Sequence, residues 1–325
     1  MVNKRPGDFS KVITLRPQVL CWPYLPILVI LMIVWADYIF NLNLVSQIPS
    51  SPYQIFIYSI IFGNPHIIAS SLILLDSEYL SFYSREILKR IIIAAAAITL
   101  IWYFLGMNGF FAFFYAWTIV HVSKQQLGIG KMLNRQRILL YDIWSWLYIL
   151  VSICIAIAIG FFVADTYIPM RIVHDISLYG GAVVVILGLY IASVIKKRSG
   201  RYYMLANNIL LFATILCYLR GFTLFTILIP RIVHDVTAYI FYISHDTNRN
   251  FGVPRQLIYK ATKPFLPIWL VCLTLSISLA YLLSTSDSSI VFYAGLGIIM
   301  LHYVTEAITW KGTGLHRKHL YFKLD

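Results

Sequence analysis

The stretch Arg85-Glu86-Ile87-Leu88-Lys89-Arg90-Ile91-Ile92-Ile93-Ala94-Ala95-Ala96-Ala97-Ile98-Thr99-Leu100-Ile101-Trp102-Tyr103-Phe104-Leu105-Gly106-Met107 decides the fold. Residues 91–107 carry no charge, and about 17–25 such residues cross a hydrocarbon layer of about 30 Å as a helix. The bases stand on one side of the run only, and a second uncharged run, 109–130 as far as Lys124, follows without a base between them. Two apolar helices joined at a face poor in bases are the unit of a polytopic membrane protein. The same reading outward along the chain places spans near 24–46, 53–75, 91–107, 109–130, 141–164, 177–195, 203–229, 231–248, 264–284 and 289–311. An all-α fold of about ten transmembrane helices follows, as one transmembrane domain over 1–325. The composition agrees: 60% of residues are hydrophobic, 12% are charged, and the mean hydropathy is +0.77, far from the usage of water-soluble domains.

The formal net charge of +13 would point to nucleic acid in a soluble protein, so the placement of the bases matters. Lys4, Arg5, Lys11 and Arg16 precede the first span, Arg85, Lys89 and Arg90 follow the second, and Lys124, Lys131, Arg135 and Arg137 follow the fourth. Lys196, Lys197, Arg198 and Arg201, then Arg249, Arg255, Lys260 and Lys263, and finally Lys311, Arg317, Lys318 and Lys323 continue the alternation. Of the 26 bases, 23 fall on one face, Arg171 and Arg231 fall on the other, and Arg220 falls inside a span. The crowded face is cytoplasmic by the positive-inside rule, and both termini lie there. The lipid bilayer is then the partner that the charge implies, and no nucleic acid is expected. Cys21, Cys154, Cys217 and Cys272 form no C-x-x-C pair, so neither a disulfide framework nor a thiolate metal site is indicated.

Arg171-Ile172-Val173-His174-Asp175 recurs as Arg231-Ile232-Val233-His234-Asp235, 60 residues later. This repeat fits a duplicated helical hairpin, near 141–195 and 203–248, with each motif opening an inward-running helix at the external surface. Interfacial anchoring by Arg171 and Arg231 is the first reading of the motif, and a His/Asp cation site the second. Arg220 and Asp37 fall at matched depth and are expected to form an intramembrane ion pair. Arg249 reads as a solvated helix end, and the basic C-terminal tail as a segment lying on anionic lipid headgroups.

Four histidines fall at one level of this topology. His66, His121, His245 and His302 lie about 12–14 residues inward from the external ends of their helices, within a few ångströms of one plane. An isolated intramembrane histidine reads as an interhelical hydrogen-bonding residue. Four neutral imidazoles at one depth satisfy one another poorly, whereas a shared metal ion takes a lone pair from each. The metal ligands are therefore His66, His121, His245 and His302. Glu306 and Gln125 lie four residues after His302 and His121, on the same helix faces, and are the candidate catalytic or orienting groups. Imidazoles without thiolate favour Fe(II), with zinc or copper next, and leave positions for O2. A site inside the bilayer implies a lipophilic small-molecule substrate. An iron-dependent oxygenase is the leading reading, and a metal-ion transporter or heme-handling membrane protein is the alternative.

The strings Phe62-Gly63-Asn64-Pro65-His66, Ile119-Val120-His121, Phe241-Tyr242-Ile243-Ser244-His245 and Met300-Leu301-His302 resemble, in the same order, the four histidine motifs of the Brp/Blh family of membrane β-carotene dioxygenases. The resemblance covers about residues 55–310, with a few matching residues per helix. It implies a multi-helix enzyme in which these histidines hold iron and O2 cleaves a carotenoid, in a bacterial inner membrane. Ser70 and Gln126 stand where the family has acids, Leu301 where it has proline, and Glu306 one position before its late acid.

Overall fold

The computed structural model describes residues 12–49, 56–134, 138–161, 170–262, 265–286, 288–311 and 314–323. The expected roles of Lys4, Arg5, Lys11, Arg135, Arg137 and Lys263 lie outside these residues. The described chain is nearly all helix. A 3-10 segment, Pro17–Tyr24, leads into α1 (Leu25–Phe40), and a π turn, Ser59–Gly63, leads into α2 (Asn64–Leu72). Pro65 accounts for that π turn: it has no N–H, and its ring crowds the carbonyl four residues earlier, so the ladder shifts register just before His66. Next come α3 (Ser77–Asn134), α4 (Leu139–Phe161), α5 (Met170–Asp175), a π turn over Ile176–Gly180 and α6 (Gly181–Val194). The remaining helices are α7 (Arg198–Leu219), α8 (Thr223–Arg249), α9 (Leu257–Thr262), α10 (Ile268–Thr285) and α11 (Ser289–Thr309).

Among the described residues, seven helical segments are long and apolar enough to cross a membrane: Pro17–Phe40, Ser77–Gly106, Leu139–Ile159, Arg171–Val194, Arg198–Leu219, Thr223–Arg249 and Ile268–Thr285. Gly106, at φ 64°, breaks α3 where the uncharged run ends. Only glycine adopts that backbone at little cost. Outward faces of these rods are apolar, with Phe104 73% and Ile186 68% exposed, an arrangement suited to hydrocarbon rather than water.

Several helix bounds differ from the hydropathy reading: the helix expected from 91 begins at Ser77 and the first one ends at Phe40. The turn between the seventh and eighth rods lies at residues 220–222, not near 230. Gly221, at φ 77°, ends α7: the Phe222 N–H reaches the Cys217 carbonyl at 2.9 Å and the Gly221 N–H reaches Tyr218 at 3.0 Å. This double bond pattern is the Schellman ending that glycine favours. Hydropathy could not find it, because Thr223–Ile229 is as apolar as the helix before it. Arg231 and His234 therefore lie inside α8, with Pro230 in the helix body, rather than at the opening of a helix.

The chain divides into two compact units. The first holds the residues up to Arg16 together with Ser59–Ile91 and Val236–Lys323. Within it α10 and α11 pack on α2. The two-residue strands β1 (Thr14–Leu15) and β2 (Tyr321–Phe322) pair in parallel, and the Asn248 amide bonds Ile13 and the His319 carbonyl. The tail expected on lipid headgroups is thus docked on its own unit, with Leu315 N–H donating to the Tyr83 hydroxyl at 2.8 Å.

The second unit holds Pro17–Tyr58 and Ile92–Asp235. Its core forms where α4, α6 and α7 meet around Trp144, Ile191, Ile195, Met204 and Leu211. Trp144 is wholly buried and donates its indole N–H to the Val184 carbonyl at 2.9 Å, so its area is buried without an orphaned donor. Gly188 leaves the space that the Asn208 side chain fills, and the Asn208 amide donates to Val185 at 2.9 Å. In the same unit Asp37 and Arg220 do not pair. Asp37 accepts from the Leu44 N–H at 2.8 Å, and the exposed Arg220 guanidinium sits 4.1 Å above the Tyr38 ring. The expected ion pair fails because the helix ends at Arg220, which places that residue in the turn rather than inside a span.

Candidate metal centre

In the first unit, α2 and α11 bring His66 and His302 together with their rings edge to face, centroids 5.0 Å apart. Both are buried, at 2% and 0% exposure. The His66 Nδ1 lies 3.1 Å from the Phe62 carbonyl. A carbonyl only accepts, so Nδ1 carries the proton and Nε2 keeps the lone pair. The His302 Nδ1 lies 2.6 Å from the Ser70 hydroxyl, which spends its single proton on the Ile67 carbonyl at 2.6 Å. Ser70 therefore accepts from His302, and Nε2 of that ring is again the basic nitrogen. Two buried imidazoles thus share one tautomer, each held through its Nδ1–H, as metal-ligating histidines usually are.

Glu306 adds a carboxylate one turn beyond His302 on α11. It is 5% exposed, and one carboxylate oxygen and a ring nitrogen of His302 lie within 4.8 Å of one another. The Tyr242 hydroxyl donates to Glu306, and the Trp310 indole N–H lies 3.4 Å from the same hydroxyl. This anchored carboxylate and His302 belong to a buried histidine-rich cluster that can hold a metal ion. Imidazole and carboxylate donors together suit a transition-metal ion.

The second unit contains another histidine pair. His121 of α3 and His234 of α8 meet edge to face with centroids 4.9 Å apart, and their ligand nitrogens lie within 4.8 Å. Neighbouring Asp235, at 1% exposure, accepts from the Tyr58 hydroxyl at 2.5 Å. Gln126 is tied into this unit: its oxygen accepts from Tyr24 at 3.1 Å and from Tyr203 at 2.5 Å, and its amide donates to Val233 at 3.4 Å. Gln125, one turn beyond His121, keeps a buried side-chain oxygen that has no hydrogen-bond partner among the described residues.

His234 is absent from the sequence-derived ligand set because the repeat was read as opening a helix at the external surface. It is the twelfth residue of α8, about 16 Å along the helix from its start. The two copies of the repeat have diverged in environment: His174 is exposed beside Tyr218 at 6.0 Å, whereas His234 is 2% exposed. The Arg220-Gly221 pair was the available signal, since glycine after a helical run marks a C-terminal cap.

His245 lies in the first unit but takes other partners. Its Nδ1–H donates to Asp246 at 3.0 Å, and the Tyr79 hydroxyl meets Nε2 at 3.0 Å. Asp246 also accepts from Tyr259 at 2.6 Å. His316 from the C-terminal segment stacks on His245 at 4.7 Å and on Tyr79 at 4.2 Å. The structure therefore brings His66 and His302 together and gives His245 a full hydrogen-bond set elsewhere. Arg249, expected at a solvated end, is 7% exposed and pairs with Asp76 at 3.0 Å and Glu78 at 2.5 Å. Burial, followed by the His245 charge, pushes the His316 pKa down to about 2, and burial lowers His319 to about 4. Both rings are neutral at physiological pH.

In comparisons with protein-family profiles, curated proteins and solved structures, nothing matches this chain.

Proposed function

We propose that this protein is a membrane-embedded non-haem iron oxygenase acting on a lipophilic substrate of the carotenoid, isoprenoid or related lipid class. One observation carries the reading: His66 and His302 are buried together with their Nδ1–H groups already committed, and a buried carboxylate, Glu306, stands one turn away. Fe(II) bound there would supply O2 activation, a chemistry that side chains alone lack. The protein's part is positioning. Phe62 and Ser70 hold the two rings in one tautomer, Tyr242 holds the Glu306 carboxylate, and the apolar helices exclude water from the group. The resemblance of the histidine motifs to the Brp/Blh family supports a polyene among the candidate substrates.

The alternative, a metal-ion transporter or heme-handling protein, draws on the second buried pair, His121 and His234, because ion transit uses successive polar stations. Metal analysis of detergent-purified protein separates the readings. The oxygenase reading expects about one iron per chain, lost in His66→Ala, His302→Ala and Glu306→Ala, because the remaining ligands no longer close the coordination sphere. Iron-loaded protein should consume O2 when a polyene is supplied. The same series with His121→Ala, His234→Ala and His245→Ala tests the wider ligand set derived from helix depth. Wild-type protein without metal, or full occupancy in all of these variants, would remove the oxygenase reading. Uptake of iron or haem into vesicles without polyene-dependent O2 consumption would favour transport.

A further inference from the structure

One cavity in the first unit lies between α2, α10 and α11. It measures about 150 Å³ and is walled by Ile67 and Ile68 of α2, Leu283 of α10, and Val291, Ile298 and Ile299 of α11. Its polar lining is Asn64 and Ser284, and the Asn64 amide donates to the Ser284 hydroxyl at 3.0 Å. Gly295 shapes one wall, and a Cβ there would meet no atom within 4 Å. Ile298 and Ile299 lie four and three residues before His302 and therefore share its helix face one turn away.

We infer that this slot holds the end of a single hydrocarbon chain, linear or methyl-branched, belonging to a lipid that enters sideways from the bilayer. The inference rests on the proposed oxygenase reading for its purpose but not for its chemistry. Val291 to Ile299 spans about 12 Å of helix, which is long for so small a volume. A volume of about 150 Å³ is enough for a benzene-sized group. The slot therefore accepts about six carbons of a slim chain and no fused ring system, and the rest of the molecule remains in the membrane. Two of its lining residues, Ile298 and Ile299, stand one helical turn before His302 on α11.

The test uses purified full-length protein and farnesol bearing a diazirine on its terminal isoprene unit. Photolysis followed by peptide mass spectrometry should place the label on residues 64–68 and 291–299, and unlabelled geranylgeraniol should compete it away. Gly295→Leu fills the slot and should lower that label about tenfold, equivalent to about 1.4 kcal/mol of lost binding, with iron content unchanged. Ile299→Phe serves the same purpose if Gly295→Leu does not fold. Label spread evenly over lipid-facing residues such as Ile186, Leu282 and Ile290, or label in the slot that survives both variants, overturns the inference. Iron-free protein that still labels in the slot sinks the oxygenase reading and leaves the slot standing, so the two can fail separately.

Discussion

The Ser70 hydroxyl lies 2.6 Å from Nδ1 of His302 while donating its own proton to the Ile67 carbonyl. The α2 helix thereby selects the tautomer of a histidine 232 residues away in sequence. Four residues after His66 this chain has an uncharged hydroxyl, and that hydroxyl accepts the proton of a ring nitrogen.

Ser70→Ala should lower iron affinity by about 10–100-fold, the usual cost of losing a partner that orients a ligating histidine. Titration of iron into metal-free protein reads this directly. Ser70→Asp, which restores a stronger acceptor, should regain affinity. Equal affinity in wild type and Ser70→Ala would show that the hydroxyl does not set the ring.

Tyr242→Phe removes the donor that Tyr242 gives to Glu306. The metal-free protein should lose about 1–3 kcal/mol, the cost of a buried acceptor left short of a partner. Iron-loaded protein should lose less, because a bound cation compensates the carboxylate. Thermal unfolding in the presence and absence of iron measures the difference, and equal losses in both states would place Glu306 outside the metal's reach.

Arg220→Gln combined with Tyr38→Leu should show a coupling of about 0.5–1 kcal/mol, as expected for an exposed cation over an aromatic face. Arg220→Gln combined with Asp37→Asn should be additive within about 0.3–0.5 kcal/mol. A double-mutant cycle with strong Asp37–Arg220 coupling would restore the ion pair that helix depth predicts and contradict the turn at Gly221.

Acidification should release the C-terminal segment. His316 and His319 have folded pKa values depressed to about 2 and about 4, so the unfolded or undocked chain binds more protons below about pH 6.5. The stability of docking is complete above that pH, falls as the pH drops from about 6.5 toward 4, and continues to fall toward about 2. Amide exchange or proteolysis at 314–323 as a function of pH checks the sign. His316→Phe keeps a ring against Tyr79 without the proton and should flatten most of the dependence.

Uncharged runs and the positions of lysine and arginine establish the helical class of this chain, because removing a charge from water costs more than any local packing can restore, and that cost is visible one residue at a time. The break at Gly106 and the candidacy of His66 and His302 were legible for the same reason: each is a polar or permissive residue inside an apolar run. The end of α7 was not, since Tyr218 and Thr223–Ile229 are equally apolar and only the left-handed φ of Gly221 separates the two helices. That error of about ten residues put His234 at a surface and Arg220 inside a span. Depth along a helix is one coordinate, and the rotation that turns His245 toward Tyr79 and Asp246, and His302 toward Ser70, is another. Rotation depends on packing among helices distant in sequence, which is why only the tertiary structure distinguishes a satisfied core histidine from a candidate ligand.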